Sequence, residues 1–167
     1  MSQLDDLLAR TSKPGKFVER RRFKLSREKA IEKQREFALR HPSQYVTEFV
    51  QAAVFSGATY IAIDAKPHSL LVAWVGGRPL RQDEVENLLD YLFADRGDPA
   101  VRHLVQLAVG VNAALQRKPT VLRIESGDGE RSIRMDVDKK GRADGGIVED
   151  AIAGTYLYAE YSAGWFS

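Results

Sequence analysis

One stretch constrains the fold more than any other: QYVTEFVQAAVFS, residues 44–56, and the two short runs that follow it. Tyr45, Val46, Phe49, Val50, Ala53 and Val54 recur at helical spacing, which predicts an amphipathic helix with one apolar stripe. Ser43 stands where a cap is needed and Gly57 where a helix stops. TYIAIDA then alternates like a half-buried strand. Lys66-Pro67-His68 supplies a turn, and SLLVAWV reads as a second strand. The expectation is a helix running through a glycine exit into an antiparallel hairpin.

The rest of the chain extends that plan. Gly76-Gly77-Arg78-Pro79 is a turn, and DEVENLLDYLF reads as a helix with acids early. ADRGDPA is a polar loop. A further core helix is expected over about 101–116, stopped by Lys118-Pro119. TVLRIES and RSIRMDV read as strands joined by Gly127-Asp128-Gly129, whose Asp-Gly pair favours a tight turn. KKGRADGGIVEDA reads as a loop, and GTYLYAEYS as a last alternating strand with Tyr156, Tyr158 and Tyr161 along one sheet face. Upstream, LDDLLAR can form a helical turn or two and FVERRRFKL an extended stretch. A helix capped by Ser26 is expected to run to about Arg40 and stop at His41-Pro42. Antiparallel hairpins with helices on one face make an α+β fold, a two-layer sandwich with a mostly antiparallel sheet. Residues 26–167 form its single domain, and residues 1–25 a basic leader or arm.

Composition narrows the chemistry. The chain has no cysteine, which excludes disulfides, thiolate catalysis and cysteine-based metal sites. His41, His68 and His103 show no ligand spacing, so surface or loop positions and no metal site are expected. No window approaches the roughly 20 apolar residues that span a bilayer, and the N-terminus lacks the apolar run of a signal peptide. The expected compartment is the cytoplasm. The charge is uneven: residues 13–40 carry +7, while residues 41–167 carry −4.

Three segments in order resemble one ATPase superfamily. Glu48-Phe-Val-Gln-Ala-Ala-Val-Phe-Ser-Gly-Ala-Thr59 runs straight into Tyr60-Ile-Ala-Ile-Asp64. After the second strand comes Trp74-Val-Gly-Gly-Arg78, and further on Gln106-Leu-Ala-Val-Gly-Val-Asn-Ala-Ala-Leu115. Together they resemble the ATP-binding core of the gyrase, heat-shock chaperone, histidine kinase and MutL (GHKL) superfamily, with MutL-type mismatch-repair ATPases nearest. The likeness covers about half the chain.

The resemblance implies roles, and several are vacated. It implies that Glu48 occupies the position of the general base. The magnesium-holding asparagine four residues on is replaced by Ala52, which has no oxygen for a hard cation. The adenine-reading aspartate is replaced by Trp74, whose indole donates and cannot accept. Gly76 and Gly77 fall in the glycine segment. Gly110 stands at the glycine that opens a helix under the phosphates, with Arg96 and Arg102 in the short connecting loop as candidates to face them.

The function this implies is a degenerate ATPase-fold module, chaperone- or MutL-like, acting through protein–protein contacts with no cofactor and no ATP hydrolysis. The alternative is a genuine ATP or ADP binder, or a slow magnesium-dependent ATPase, using Glu48 and a helix start at Gly110. A third reading uses Arg20, Arg21 and Arg22 of the arm to bind nucleic acid or an anionic membrane surface. Trp165 and Phe166, beside the end, are candidates for docking a partner protein. Superfamily chaperones and repair proteins continue into a second domain, so a longer native chain is one expectation. The partner's identity and the oligomeric state stay open.

Overall fold

A computed structural model describes residues 27–36 and 44–164. The arm with Arg20–Arg22, the boundary at residue 25, and Trp165 and Phe166 lie outside the described residues. Helix α1 (27–36) is followed by α2 (Gln44–Ser56), β1 (Tyr60–Lys66) and β2 (Ser69–Val75). Next come a one-turn helix α3 (Gln82–Glu86), a 3-10 helix (Leu88–Phe93) and α4 (Arg102–Gln116). The chain then forms β3 (Val121–Asp128), β4 (Ser132–Val137), β5 (Ala143–Val148) and β6 (Ala153–Glu160). One six-stranded sheet has the order β1-β2-β6-β3-β4-β5, and every pairing is antiparallel. This is the expected α+β two-layer sandwich.

Period-2 patterning decides which face is covered. Leu70, Val72 and Trp74 of β2 pair with Ala159, Leu157 and Thr155 of β6, and Leu157 pairs in turn with Ile124 of β3. All of these are buried, and α2 and α4 close over them. The two helices meet at Phe49 and Gly110, where a Cβ on Gly110 would sit 2.5 Å from the Phe49 ring. A mid-helix glycine costs about 1 kcal/mol against alanine. Burying a phenylalanine contributes about 1.5–3 kcal/mol, so the close approach wins.

Three expectations are corrected. The stretch read as the loop KKGRADGGIVEDA contains β5. Asp138 Oδ1 accepts the amides of Lys140 and Arg142 and folds the turn, and Gly145 has φ +153°. A Cβ on Gly145 would lie 2.0 Å from the Arg134 carbonyl oxygen, so glycine is what lets this edge strand pair. The single helix expected over 83–93 is broken at Asn87, whose side-chain amide donates to the Asp83 carbonyl at 2.9 Å. The 3-10 helix beyond it turns Leu88, Leu89 and Leu92 into the core. Tyr161 leaves the face shared by Tyr156 and Tyr158: it is buried and hydrogen-bonded to the Tyr45 hydroxyl at 3.1 Å.

Candidate functional site

The region where the resemblance implies a nucleotide lies between α2, the end of β2 and α4. Ala52 and Trp74 are both core residues, 2% and 4% exposed. Trp74 stands between Ile61 on β1 and Thr155 on β6. The Thr155 hydroxyl bonds the Ser126 hydroxyl at 2.7 Å, and the Leu80 amide donates to Ser126 Oγ at 2.8 Å. The buried hydroxyls in this neighbourhood are therefore satisfied within the chain.

The glycines of the motif serve close packing. Gly76 has φ +84°, and a Cβ there would fall 2.4 Å from Thr59 Oγ1. A Cβ on Gly77 would fall 2.2 Å from Ser56 Oγ. The Thr59 amide donates to the Val75 carbonyl at 2.8 Å, and the Arg78 amide to the Ser56 carbonyl at 2.9 Å. The segment after β2 is thus laid against the turn between α2 and β1. Gly110 is in the middle of α4, not at a helix start. The helix opens eight residues earlier at Arg102, and Gly110 faces Phe49.

The charged candidates are divided among different partners. Glu48 is half-buried on α2; burial pushes its carboxyl above the usual range, and the charge of Arg96 opposes this. Arg102 stacks on the Phe55 ring with its guanidinium carbon 4.6 Å from the centroid. Glu48 and Arg96 are brought within electrostatic reach of each other, and Arg102 is engaged elsewhere. Ala52 supplies no oxygen, Trp74 fills its own space, and the three glycines are closed over by Thr59, Ser56 and Phe49.

Two ionic clusters escape the sequence pattern. In the first, the buried Glu84 carboxylate accepts from the Arg78 guanidinium and from the Arg81 amide at 3.0 Å. Arg78 Nη2 also lies 3.2 Å from His103 Nε2. A guanidinium can only donate, so this imidazole must be neutral with its proton on Nδ1. Burial and the Arg78 charge hold His103 below its ordinary value, against the pull of Glu84. His103 is therefore buried, which corrects the surface or loop position expected for it. In the second, Glu125 points away from the helices yet is buried. It accepts from the Tyr156 hydroxyl and from Arg134 Nε at 3.0 Å. Burial alone would raise its pKa, but those hydrogen bonds and the Arg134 charge outweigh it and hold the carboxyl low.

Glu84 reads in sequence as one more acid in a helix's first turn, and nothing in its spacing marks it as buried. Ala73, Tyr156, Glu125 and Arg134 stand in one cross-strand row, which only the register reveals. Among the described residues, no three His, Cys, Asp or Glu side chains are grouped to hold a metal. No helix among them is long and apolar enough to cross a membrane.

The architecture matches the N-terminal domain of a DNA repair protein with a TM-score of 0.53 at 12% identity, over 76% of this chain and 37% of that one. At that identity the likeness is one of fold. The 43K ATPase domain of Thermus thermophilus gyrase B, solved with an aminocoumarin, is similar at a TM-score of 0.48 and 19% identity, over 72% of this chain and 33% of that one. This chain therefore spans about a third of the length of either. No family model matches the sequence. No curated protein matches it either.

Proposed function

We propose that this chain is a degenerate GHKL-like module, chaperone- or MutL-like in build and cytoplasmic, that acts through contact with another protein and uses neither ATP nor magnesium. The observation that carries the proposal is Trp74. At the position where the resemblance expects an adenine-reading aspartate, an indole without an acceptor is packed into the core. Ala52 removes the metal's oxygen ligand in the same way. An adenine seated there would leave its amino group unpaired, at about 1–3 kcal/mol, and a triphosphate without its cation loses more.

Thermal melting with ATP or ADP, with and without magnesium, tests the proposal. A ligand at 100 times its dissociation constant adds about 2.7 kcal/mol to stability. The expected result is an unchanged melting temperature at millimolar nucleotide. A magnesium-dependent rise would point instead to a working nucleotide site.

A further inference from the structure

Arg78 follows the paired glycines Gly76-Gly77, and it ties three elements together. Its Nη2 donates to the buried Glu84 carboxylate of α3 and also reaches His103 Nε2 of α4 at 3.2 Å. Its backbone amide donates to the Ser56 carbonyl at the end of α2 at 2.9 Å. One nitrogen thus serves two acceptors, so the imidazole and the carboxylate lie within two hydrogen-bond lengths of each other. Glu84 and His103 are 2% and 5% exposed, whereas the Arg78 side chain is 43% exposed. Of the three, the arginine has water to go to. The neighbouring charges have partners of their own. Arg81 Nη2 lies 3.6 Å from Glu84 Oε1, and Arg81 Nε bonds Asp83. Tyr91, on the 3-10 helix, lies in the field of Glu84, Asp83, Arg81 and Arg78. On α4 itself Arg102 is turned onto Phe55, and on α2 Glu48 lies in the field of Arg96. Arg78 and Glu84 are the charges that act on His103.

We infer that Arg78, Glu84 and His103 form an acid-operated latch: when His103 takes up a proton, the imidazolium replaces the guanidinium as the partner of Glu84, and Arg78 swings out into water. A neutral imidazole can accept from Arg78, but an imidazolium donates at both nitrogens and cannot. Left in place, two cations would face each other across one hydrogen bond in a poorly solvated pocket. The Arg81 amide holds Glu84 Oε2, so Oε1 is the oxygen that the two cations contest. His103 is fixed in the first turn of α4 and cannot leave without unwinding it, while Arg78 needs only to rotate its side chain. The exchange leaves no bare charge inside, because Glu84 keeps a cation. Burial and the guanidinium hold His103 below its ordinary value. The latch therefore opens as pH falls through that lowered value, below about 6.5. Opening cuts the tie between the segment 76–81 and α4, and leaves the backbone bonds of Arg78 to Ser56 and of Leu80 to Ser126. The inference is independent of the nucleotide question, since all three groups belong to the chain and none of them is Trp74 or Ala52.

Nitrogen–proton spectra of the imidazole and guanidinium groups in the full chain, recorded as pH falls from about 7.5 to about 4.5, test it. The expected result is that His103 Nε2 takes up its proton with a midpoint below about 6.5, and that the Arg78 Nε–H shifts with the same midpoint. Arg78→Gln removes the opposing charge at a half-exposed site. It should raise the His103 midpoint by about one pH unit, because Glu84 stays beside the ring. His103→Asn keeps an acceptor for Arg78 and should abolish the acid shift of the arginine. Where either variant fails to fold, the coincidence of the two midpoints in the unaltered chain still decides. A His103 that titrates while Arg78 stays still overturns the inference. So does a midpoint unmoved by Arg78→Gln, an Arg78 transition that persists in His103→Asn, or a chain that unfolds as a whole, by circular dichroism, before His103 is protonated.

Discussion

The α2–β2–α4 region and the β1 edge are neighbours on one scaffold and are finished in opposite ways. In the first, the chain packs against itself: Trp74 and Ala52 in the core, Gly76 against Thr59, Gly77 against Ser56, Gly110 against Phe49. At the second, Tyr60, Ile63 and Val75 stay in water, and β1 pairs on one side alone among the described residues. The difference is one of packing: the sheet edge leaves large apolar side chains exposed, while the region between the helices packs its glycines and its indole against the chain itself.

The largest test of that contrast is Trp74→Asp, which writes the resemblance's aspartate back into the chain. Losing the ring alone costs about 3–5 kcal/mol, and an unpaired buried carboxylate adds to it. Urea denaturation should find the variant mostly unfolded. A stable variant that gained nucleotide binding would mean that the interior is a site in reserve. Glu84→Ala should cost about 3 kcal/mol, at the low end for a broken buried pair because Arg78 reaches water.

Gly110→Ala is a contest of two terms. Helix propensity returns about 1 kcal/mol, while overpacking Phe49 takes about 1–3 kcal/mol. A net loss near 1 kcal/mol is expected in chemical denaturation, and a gain would show the α2–α4 seam to be loose. Acid should also find the weak points. His103 and Glu125 both have depressed folded values. For each, stability is present above the unfolded pKa and is lost as pH falls through the folded one. Stability measured from pH 7.5 downward should therefore decline first from about 6.5, the ordinary histidine value. His103→Asn, which keeps an acceptor for Arg78, should flatten that first decline.

The smallest effect is at Glu48. Its folded value is raised, so the charged form is the disfavoured one and stability falls as pH rises through the folded value. Glu48→Gln should raise the melting temperature slightly at neutral pH. A loss would mean that its ionised form is held by a contact stronger than the Arg96 field.

Much of the scaffold was legible because hydrophobic periodicity reports burial directly. The stripe Tyr45–Phe49–Ala53 and the alternation Leu70–Val72–Trp74 both emerge as core. What stayed hidden was set by neighbours distant in sequence. β5 looks like a loop because an edge strand needs little apolar patterning and Gly145 is demanded by the Arg134 carbonyl beside it. Glu84, His103 and Glu125 look like ordinary surface residues because their burial depends on Arg78, Arg134 and Tyr156 arriving from other elements. The motif glycines show the converse. Their positions were readable, but what each faces was not, and Gly110 proved to be a helix-packing residue.

The central claim is most directly tested at Trp74 itself. In a nitrogen–proton correlation spectrum, the indole N–H of Trp74 and the amides of Gly76 and Gly77 can be followed as magnesium ATP is titrated to several millimolar. A closed interior predicts resonances that do not move. Saturable shifts at Trp74 and the two glycines, dependent on magnesium, would contradict it.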